Sequence, residues 1–293
     1  MREERIFLEP KLFIVRTGDE FFSVYDGQQF YASNNLFCML MKDQEHKRYN
    51  LQYVQALLNG KFLQRYLRLY IAPRFGDLYT ETKIKHLDLL PIHSISFTTT
   101  KAEREVLVED LKKKYTASML TEFLALVDEC LPKDKQGNFL TDKGKSDVVH
   151  DILAYLAEQM IELNKKKEKE AKGFIEWLEG QLKTKPDEKL NIGVEVLSRK
   201  TQIKDYLGDY QKEEEPLSFE DLWKILEKNR NRIQANLKSR EFFENIEIEY
   251  ERSLSKLLPL KEKLRKTDWL IDQIVYKLYG LSQEEIRIVE GQK

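Results

Sequence analysis

Apolar positions form short clustered runs over the first third of the chain and recur at helical spacing over the rest. Leu12–Arg16 and Phe21–Tyr25 are β-rich runs. Thr17-Gly18-Asp19 carries turn chemistry between them, and Asp26-Gly27 is a hairpin-turn dipeptide. Phe30 and Tyr31 open a predicted third strand, which makes a small antiparallel meander. Tyr49–Tyr70 then reads as helix. Leu51, Val54, Leu57 and Leu58 recur at its spacing, and Asn59-Gly60 interrupts the pattern. A second helix is predicted from Lys61, with Phe62, Tyr66 and Tyr70 four residues apart and Pro73 and Gly76 beyond its end. Extended chain closes at Leu89-Leu90-Pro91-Ile92.

From Thr98 onward the pattern is helical. Ala102–Cys130 places Val106, Leu111 and Tyr115 on one predicted stripe. Pro132, Gly137, Asn138 and Gly144 mark a break. Ser146 is a predicted cap for a helix carrying Val149, Ile152, Leu153, Leu156, Met160 and Leu163. That helix runs into the charged stretch Lys165–Lys172, and an apolar face resumes at Phe174, Trp177 and Leu178. Breaks follow around Pro186 and at Gln211–Pro216. Ser218 with Asp221 resembles a capping box, with Leu217 and Leu222 as its staple, and opens a helix expected to reach about Leu237. A long helix over Arg240–Lys266 should bend or break at Pro259. Thr267 should cap another that ends at Tyr279, with Gly280 beyond its terminus. Ser282-x-x-Glu285 is a capping box for a last short helix. There is no internal repeat.

The expected class is therefore α+β: a small mixed domain over residues 1–100, then a mainly α, long-helix, coiled-coil-like region over 101–293. A length of 293 residues suits two units. The charged fraction of 34% exceeds the usual quarter and favours solvated helices. Two cysteines, Cys38 and Cys130, make no disulfide framework and fit a reducing cytoplasm. Cys38, in an apolar stretch, is expected to be a buried inert thiol. No apolar run is long enough to span a membrane, and the first ten residues lack the apolar core of a secretory signal.

Catalytic chemistry is missing from the pattern. His46, His86, His93 and His150 have no metal-ligand spacing, so no metal site is assigned. There is no nucleophile elbow, P-loop or dinucleotide fingerprint. Pro186-Asp187 is followed by no acidic-x-Lys triplet and reads as a loop. His150 reads as a packing or solvent-facing residue, and Trp177, Trp223 and Trp269 read as core or helix-interface anchors. Charge says more. Residues 42–85 hold nine Lys/Arg against four Asp/Glu, whereas 101–293 hold 36 against 39. The front section thus carries the only sustained positive bias along the chain. Lys61, Arg65, Arg68 and Arg74 interleave there with Tyr66, Tyr70 and Tyr79. Arginines contact phosphates and read guanine bidentately, so the mix suits DNA. A solvated amphipathic helix fits the same residues.

Several short elements resemble a known family. Lys11–Thr17, Gly18, the Tyr25-Asp26 turn and Tyr31 resemble the opening of the target-recognition region in adenine-specific restriction–modification methyltransferases of the type IIG and TaqI-like kind. Leu57-Leu58-Asn59-Gly60-Lys61 is similar to their Leu-Leu-Asn-Ser-Lys element, with Gly60 in place of Ser. Leu87–Ile92 resembles the Leu-Pro-Ile segment that closes the region. The tail, from Thr267-Asp268 through Val275-Tyr276 and Tyr279-Gly280-Leu281-Ser282 to Val289-Glu290, is similar to the end of these enzymes. Residues 100–266 match only in helical, charged character.

The resemblance implies a double-stranded DNA recognition module joined to a methyltransferase catalytic domain or subunit. In that family an upstream half binds S-adenosylmethionine and carries an Asn-Pro-Pro-aromatic loop that receives the flipped adenine. This chain has no Pro-Pro and no Asn-Pro, so the cofactor is expected in a half outside it. Arg16, Lys61, Arg65, Arg68, Arg74, Lys83 and Lys85 are the expected DNA contacts, chosen by charge and location. The helical region would hold the recognition domain at a set distance from its catalytic partner. Two other readings compete: a helical scaffold without DNA contact, and a fragment contributing to a composite active site.

Overall fold

The computed structural model describes residues 4–18, 21–42, 48–72 and 80–292. It is α+β, with one small three-stranded antiparallel sheet and long helices. The expected class holds. Contacts divide the chain into two compact units, Met1–Gln159 with Asp268–Lys293, and Met160–Thr267. This grouping differs from the sequence division at residue 100.

In the first unit, α1 (Arg5–Leu8) leads into β1 (Lys11–Val15). The short β2 (Thr17–Gly18) and then β3 (Ser23–Asp26) and β4 (Leu36–Met39) follow. The sheet order is β3-β1-β4, with β1 paired antiparallel on both sides. This corrects the predicted meander, in which the middle strand would be second in sequence. The third strand starts at Leu36, not at Phe30. Asp26 explains the shift: its carboxylate accepts the amides of Gln28 and Phe30 at 2.8 and 2.9 Å and folds that stretch into a loop. Placing β1 centrally buries Leu12 and Ile14 completely.

The helix α2 (Leu51–Asn59), capped by the Asn50 side chain, stops at Gly60 as expected, and α3 (Lys61–Tyr66) begins at once. One wide π turn, Leu67–Ile71, completes it. The strand β5 (Thr80–Glu81) pairs with β2 and is followed by the one-turn α4 (Ile84–Leu87). Pro73, Gly76, Tyr79, Arg74, Asp19 and His46 lie outside the described residues.

Three features of the next helices depart from expectation. Ala102–Cys130 is two helices, α5 (Lys101–Thr116) and α6 (Leu120–Cys130), with Ser118 left-handed between them. The buried stripe of α5 is Val108, Leu111 and Tyr115, at three- and four-residue steps; Val106 is exposed. Ser146 begins α7 (Ser146–Leu182), but its hydroxyl accepts the Ser96 amide. Asp147 instead accepts from Thr99 and from the Val148 amide. His150 is a packing residue, one of the two roles expected for it, and is buried. It lies among the rings of Tyr49, Tyr53 and Phe97, and its Nε2 accepts the Asn50 amide. Cys130 is buried, and burial pushes its thiol up to about 11. Cys38 is only partly buried, which corrects that expectation.

The second unit takes the later part of α7 through its charged stretch without a break. A 3₁₀ turn (Gly193–Val196), α8 (Lys200–Lys204) and α9 (Phe219–Lys228) follow, then most of α10 (Arg240–Tyr279). Phe174, Leu178, Leu182, Ile225, Tyr250 and Leu257 are among its core. Ser218 caps α9 through the Asp221 amide, with Leu222 buried and Leu217 against the same core. The helix ends at Lys228, well short of Leu237. Asn229 stops it, with its buried side chain tied to Ser198 and Ile225. Pro259 does not interrupt α10, because Leu257 and Leu264 are fully buried to either side of it and hold the helix across one missing amide. Thr267 is internal too and donates back to the Lys263 carbonyl. Gly280 is left-handed (φ 68°), and Leu281 and Gly280 donate to Tyr276 and Lys277, a complete Schellman closure. Ser282 and Glu285 form the expected reciprocal cap of α11 (Gln283–Val289). No described helix is long and apolar enough to cross a membrane.

Candidate nucleic-acid interface

The front of the first unit is organised by a buried cross-strand ion pair. Lys11 on β1 faces Asp26 on β3, Nζ to Oδ2 3.0 Å, with both side chains almost wholly buried. Burial pushes the Asp26 carboxyl upward, but the Gln28 amide, the Lys11 ammonium and the Phe30 amide outweigh it. The group sits below its ordinary value and stays ionised. What the pair supports is the loop after β3. That loop presents Phe30 and Tyr31 to solvent at 60% and 78% exposure, with the Tyr31 ring tilted against Phe7, centroids 5.1 Å apart. The hydrophobic pattern assigned these aromatics to a strand. The signal that placed them in a loop was the Asp26-Gly27 turn beside them.

The predicted cations fall into two groups. In the first, the β2–β5 ladder brings Arg16 beside Glu81, sixty-five residues on, with contacts of 2.8 and 2.5 Å from Nε and Nη2. The arginine holds the Glu81 carboxyl below its ordinary value. Lys83 and Lys85, both exposed, follow directly around α4. Burial, then Lys85 and Lys83, lower the pKa of the adjoining His86. This cluster is therefore positive through its two lysines, with Arg16 already matched by a carboxylate.

The second group lies on α3 and its π turn. Arg65 is exposed and in no ion pair among the described residues. Arg68 is half-buried in the wide turn. The exposed Tyr70 ring packs tilted against Tyr66, centroids 5.2 Å apart. Lys61 is half-exposed, and its ammonium lies 3.4 Å from Asp272 and 3.3 Å from Glu290. Burial lowers the Lys61 pKa, but Asp272 and Glu290 more than compensate and raise it. Asp272 is itself buried, and burial pushes it up to about 7 against the opposing pull of the Lys61 amide. Its Oδ1 accepts that amide at 2.9 Å, whereas Oδ2, though near the ammonium, has no aligned hydrogen-bond donor. Burial is the dominant influence on Asp272. Arg74 lies outside the described residues.

The tail of the chain braces this surface from behind. Tyr279 packs its ring 4.6 Å from Phe62, donates its hydroxyl to the Pro91 carbonyl at 2.6 Å and accepts the His93 amide at 3.0 Å. Tyr53 and Tyr49 hold the same segment through His93 and Ile95. The Leu-Pro-Ile element and the tail, 188 residues apart, are thereby one structure. Among the described residues no group of His, Cys, Asp or Glu is arranged to hold a metal.

A small sheet, a helix pair and a clamped Leu-Pro-Ile segment thus fill the first ninety-odd residues. Residues 1–92 match the family model of the TaqI-like C-terminal specificity domain. The matched region ends at the segment that Tyr279 clamps. It holds every predicted cation, so all seven candidate contacts lie inside the matched region. No curated protein and no solved structure matches the chain.

Proposed function

We propose that the chain is the sequence-reading part of a restriction–modification adenine methyltransferase of the TaqI-like, type IIG kind, acting on double-stranded DNA in the cytoplasm. The observation that carries this reading is the match of residues 1–92 to a specificity domain. Two features of the same region support it. Arg65, Lys83 and Lys85 are exposed cations, and Phe30, Tyr31 and Tyr70 are exposed aromatics. A surface of this composition can take phosphates on its cations while its rings lie against bases or sugars.

In this reading Arg65, Lys83 and Lys85 make the primary phosphate contacts, with Arg68 and Arg74 as further candidates. Arg16 and Lys61 join only by exchanging a carboxylate partner for a phosphate, so their net gain is small. Residues 1–100 carry recognition and residues 101–293 support it. Methyl transfer belongs to a catalytic domain or subunit that binds S-adenosylmethionine, and no catalytic group is assigned in this chain. The test is a salt titration of duplex binding. Arg65→Ala with Lys85→Ala should weaken binding and reduce the slope of log affinity against log salt by roughly two, about 0.9 for each lost phosphate contact. Unchanged affinity and slope would exclude these cations as DNA contacts and leave the scaffold reading.

A further inference from the structure

The fold creates a second basic surface that the linear charge map hides. In the second unit, residues 183–204 and 226–241 are laced together. Thr184 bridges to Ile233, the Lys185 amide donates to the Arg232 carbonyl at 2.8 Å, and Asn229 binds the Ser198 amide at 2.8 Å. These two segments contain eleven Lys/Arg against five Asp/Glu. The remainder of the unit contains thirteen against seventeen. A positive end is therefore set against an acidic remainder, so tertiary pairing gives the molecule a second positive region besides the front section.

All eleven cations are exposed. Lys200 and Lys204 are matched by Glu195, and Arg240 by Glu244. Lys183, Lys185, Lys189, Lys228 and Arg230 are in no ion pair among the described residues. Unpaired like charges held together by backbone pairing repel one another, a cost that an anionic ligand removes.

A loop in the middle of this end carries strain of its own. Asp187 accepts the Lys189 and Asn191 amides at 2.8 and 2.9 Å, and the Leu190 amide donates to the Asp187 carbonyl. Asp134 organises the loop of residues 134–138 with the same set of bonds. There the left-handed position is Gly137 (φ 89°); here it is Leu190 (φ 62°), 81% exposed, with Ile192 64% exposed beside it. An L side chain in this conformation is disfavoured, and a solvent-facing leucine gains no burial in return. An apolar tip carried on the same segment as the unpaired Lys183, Lys185 and Lys189 fits a duplex groove, with phosphates on the cations and the leucine against sugars or bases. A membrane surface would call for a broader apolar face than two side chains.

We propose that this end of the helical unit is a second, sequence-independent binding site for the sugar–phosphate backbone of duplex DNA. The inference rests on the reading of the chain as a DNA-binding protein, but on residues outside the specificity domain. The test uses the full chain and a 30-base-pair mixed-sequence duplex between about 50 and 200 mM salt. One variant carries Lys183→Gln, Lys189→Gln, Lys228→Gln and Arg230→Gln; a second keeps charge at the same four positions by exchanging Lys and Arg. The neutral variant should lose at least about two from the salt slope, and the charge-retaining variant should bind like the parent. Leu190→Gly should melt at or above the parent temperature yet bind the duplex more weakly. Parent-like affinity and slope in both the neutral variant and Leu190→Gly overturn the site. So does a neutral variant that loses binding only to vesicles containing anionic lipid. The Arg65→Ala, Lys85→Ala variant runs alongside: if it alone weakens binding, this inference fails and the specificity-domain reading stands. If only the Gln variant weakens it, the reverse holds.

Discussion

Tyr279 uses one hydroxyl twice, as donor to the Pro91 carbonyl and acceptor from the His93 amide. Tyr279→Phe strands both backbone groups in a largely enclosed place, and a loss of about 1–3 kcal/mol in urea unfolding is expected. Lys11→Ala should cost more, about 3–5 kcal/mol, because it leaves the buried Asp26 carboxylate without its ammonium. Asp272 sets a pH dependence. Burial raises its folded pKa to about 7, above the unfolded value near 4, so between those limits the folded state holds a proton that the unfolded state has released. Its contribution to stability is fully present at the acidic end of the window, declines as pH rises toward 7 and is flat above. Asp272→Asn keeps an acceptor for the Lys61 amide and removes the titration. Denaturation midpoints of parent and variant between pH 4 and 8 should therefore converge at the acidic end and favour the variant at the alkaline end.

At the level of elements, closure at Gly280 is the most exposed to change. Its φ of 68° suits glycine, and an added Cβ would lie 3.0 Å from the Phe139 ring. Gly280→Ala should lower stability by roughly 1–2 kcal/mol, read as a lower melting temperature. This terminus was legible in the sequence, as were the caps at Ser218 and Ser282 and the stop at Asn59-Gly60, because each depends on residues within a few positions. What the sequence concealed depends on distant partners. The start of β4 follows from pairing with β1, and the end of α9 follows from Asn229 reaching Ser198. The continuity of α10 through Pro259 follows from burial on both sides. The candidate site divides the same way. Its cations were visible as a local charge bias. That Arg16 and Lys61 already hold carboxylates from residues 81, 272 and 290 was not, nor was the basic end assembled from two segments of the second unit.

Across the whole chain, the matched region 1–92 and the tail belong to one compact unit although more than 170 residues separate them. The tail supplies Asp272, Tyr276 and Tyr279, and removing residues 268–293 would uncover Phe62 and free Lys61. A chain ending at residue 267 should lose the cooperative unfolding of the front and be cleaved faster by protease within residues 1–92. If residues 1–92 read duplex sequence, selection from a randomised duplex library by the full chain should enrich one short motif, and Arg65→Ala with Lys85→Ala should abolish the enrichment. Recovery of the input distribution, with bound duplexes carrying no common sequence, would contradict that reading.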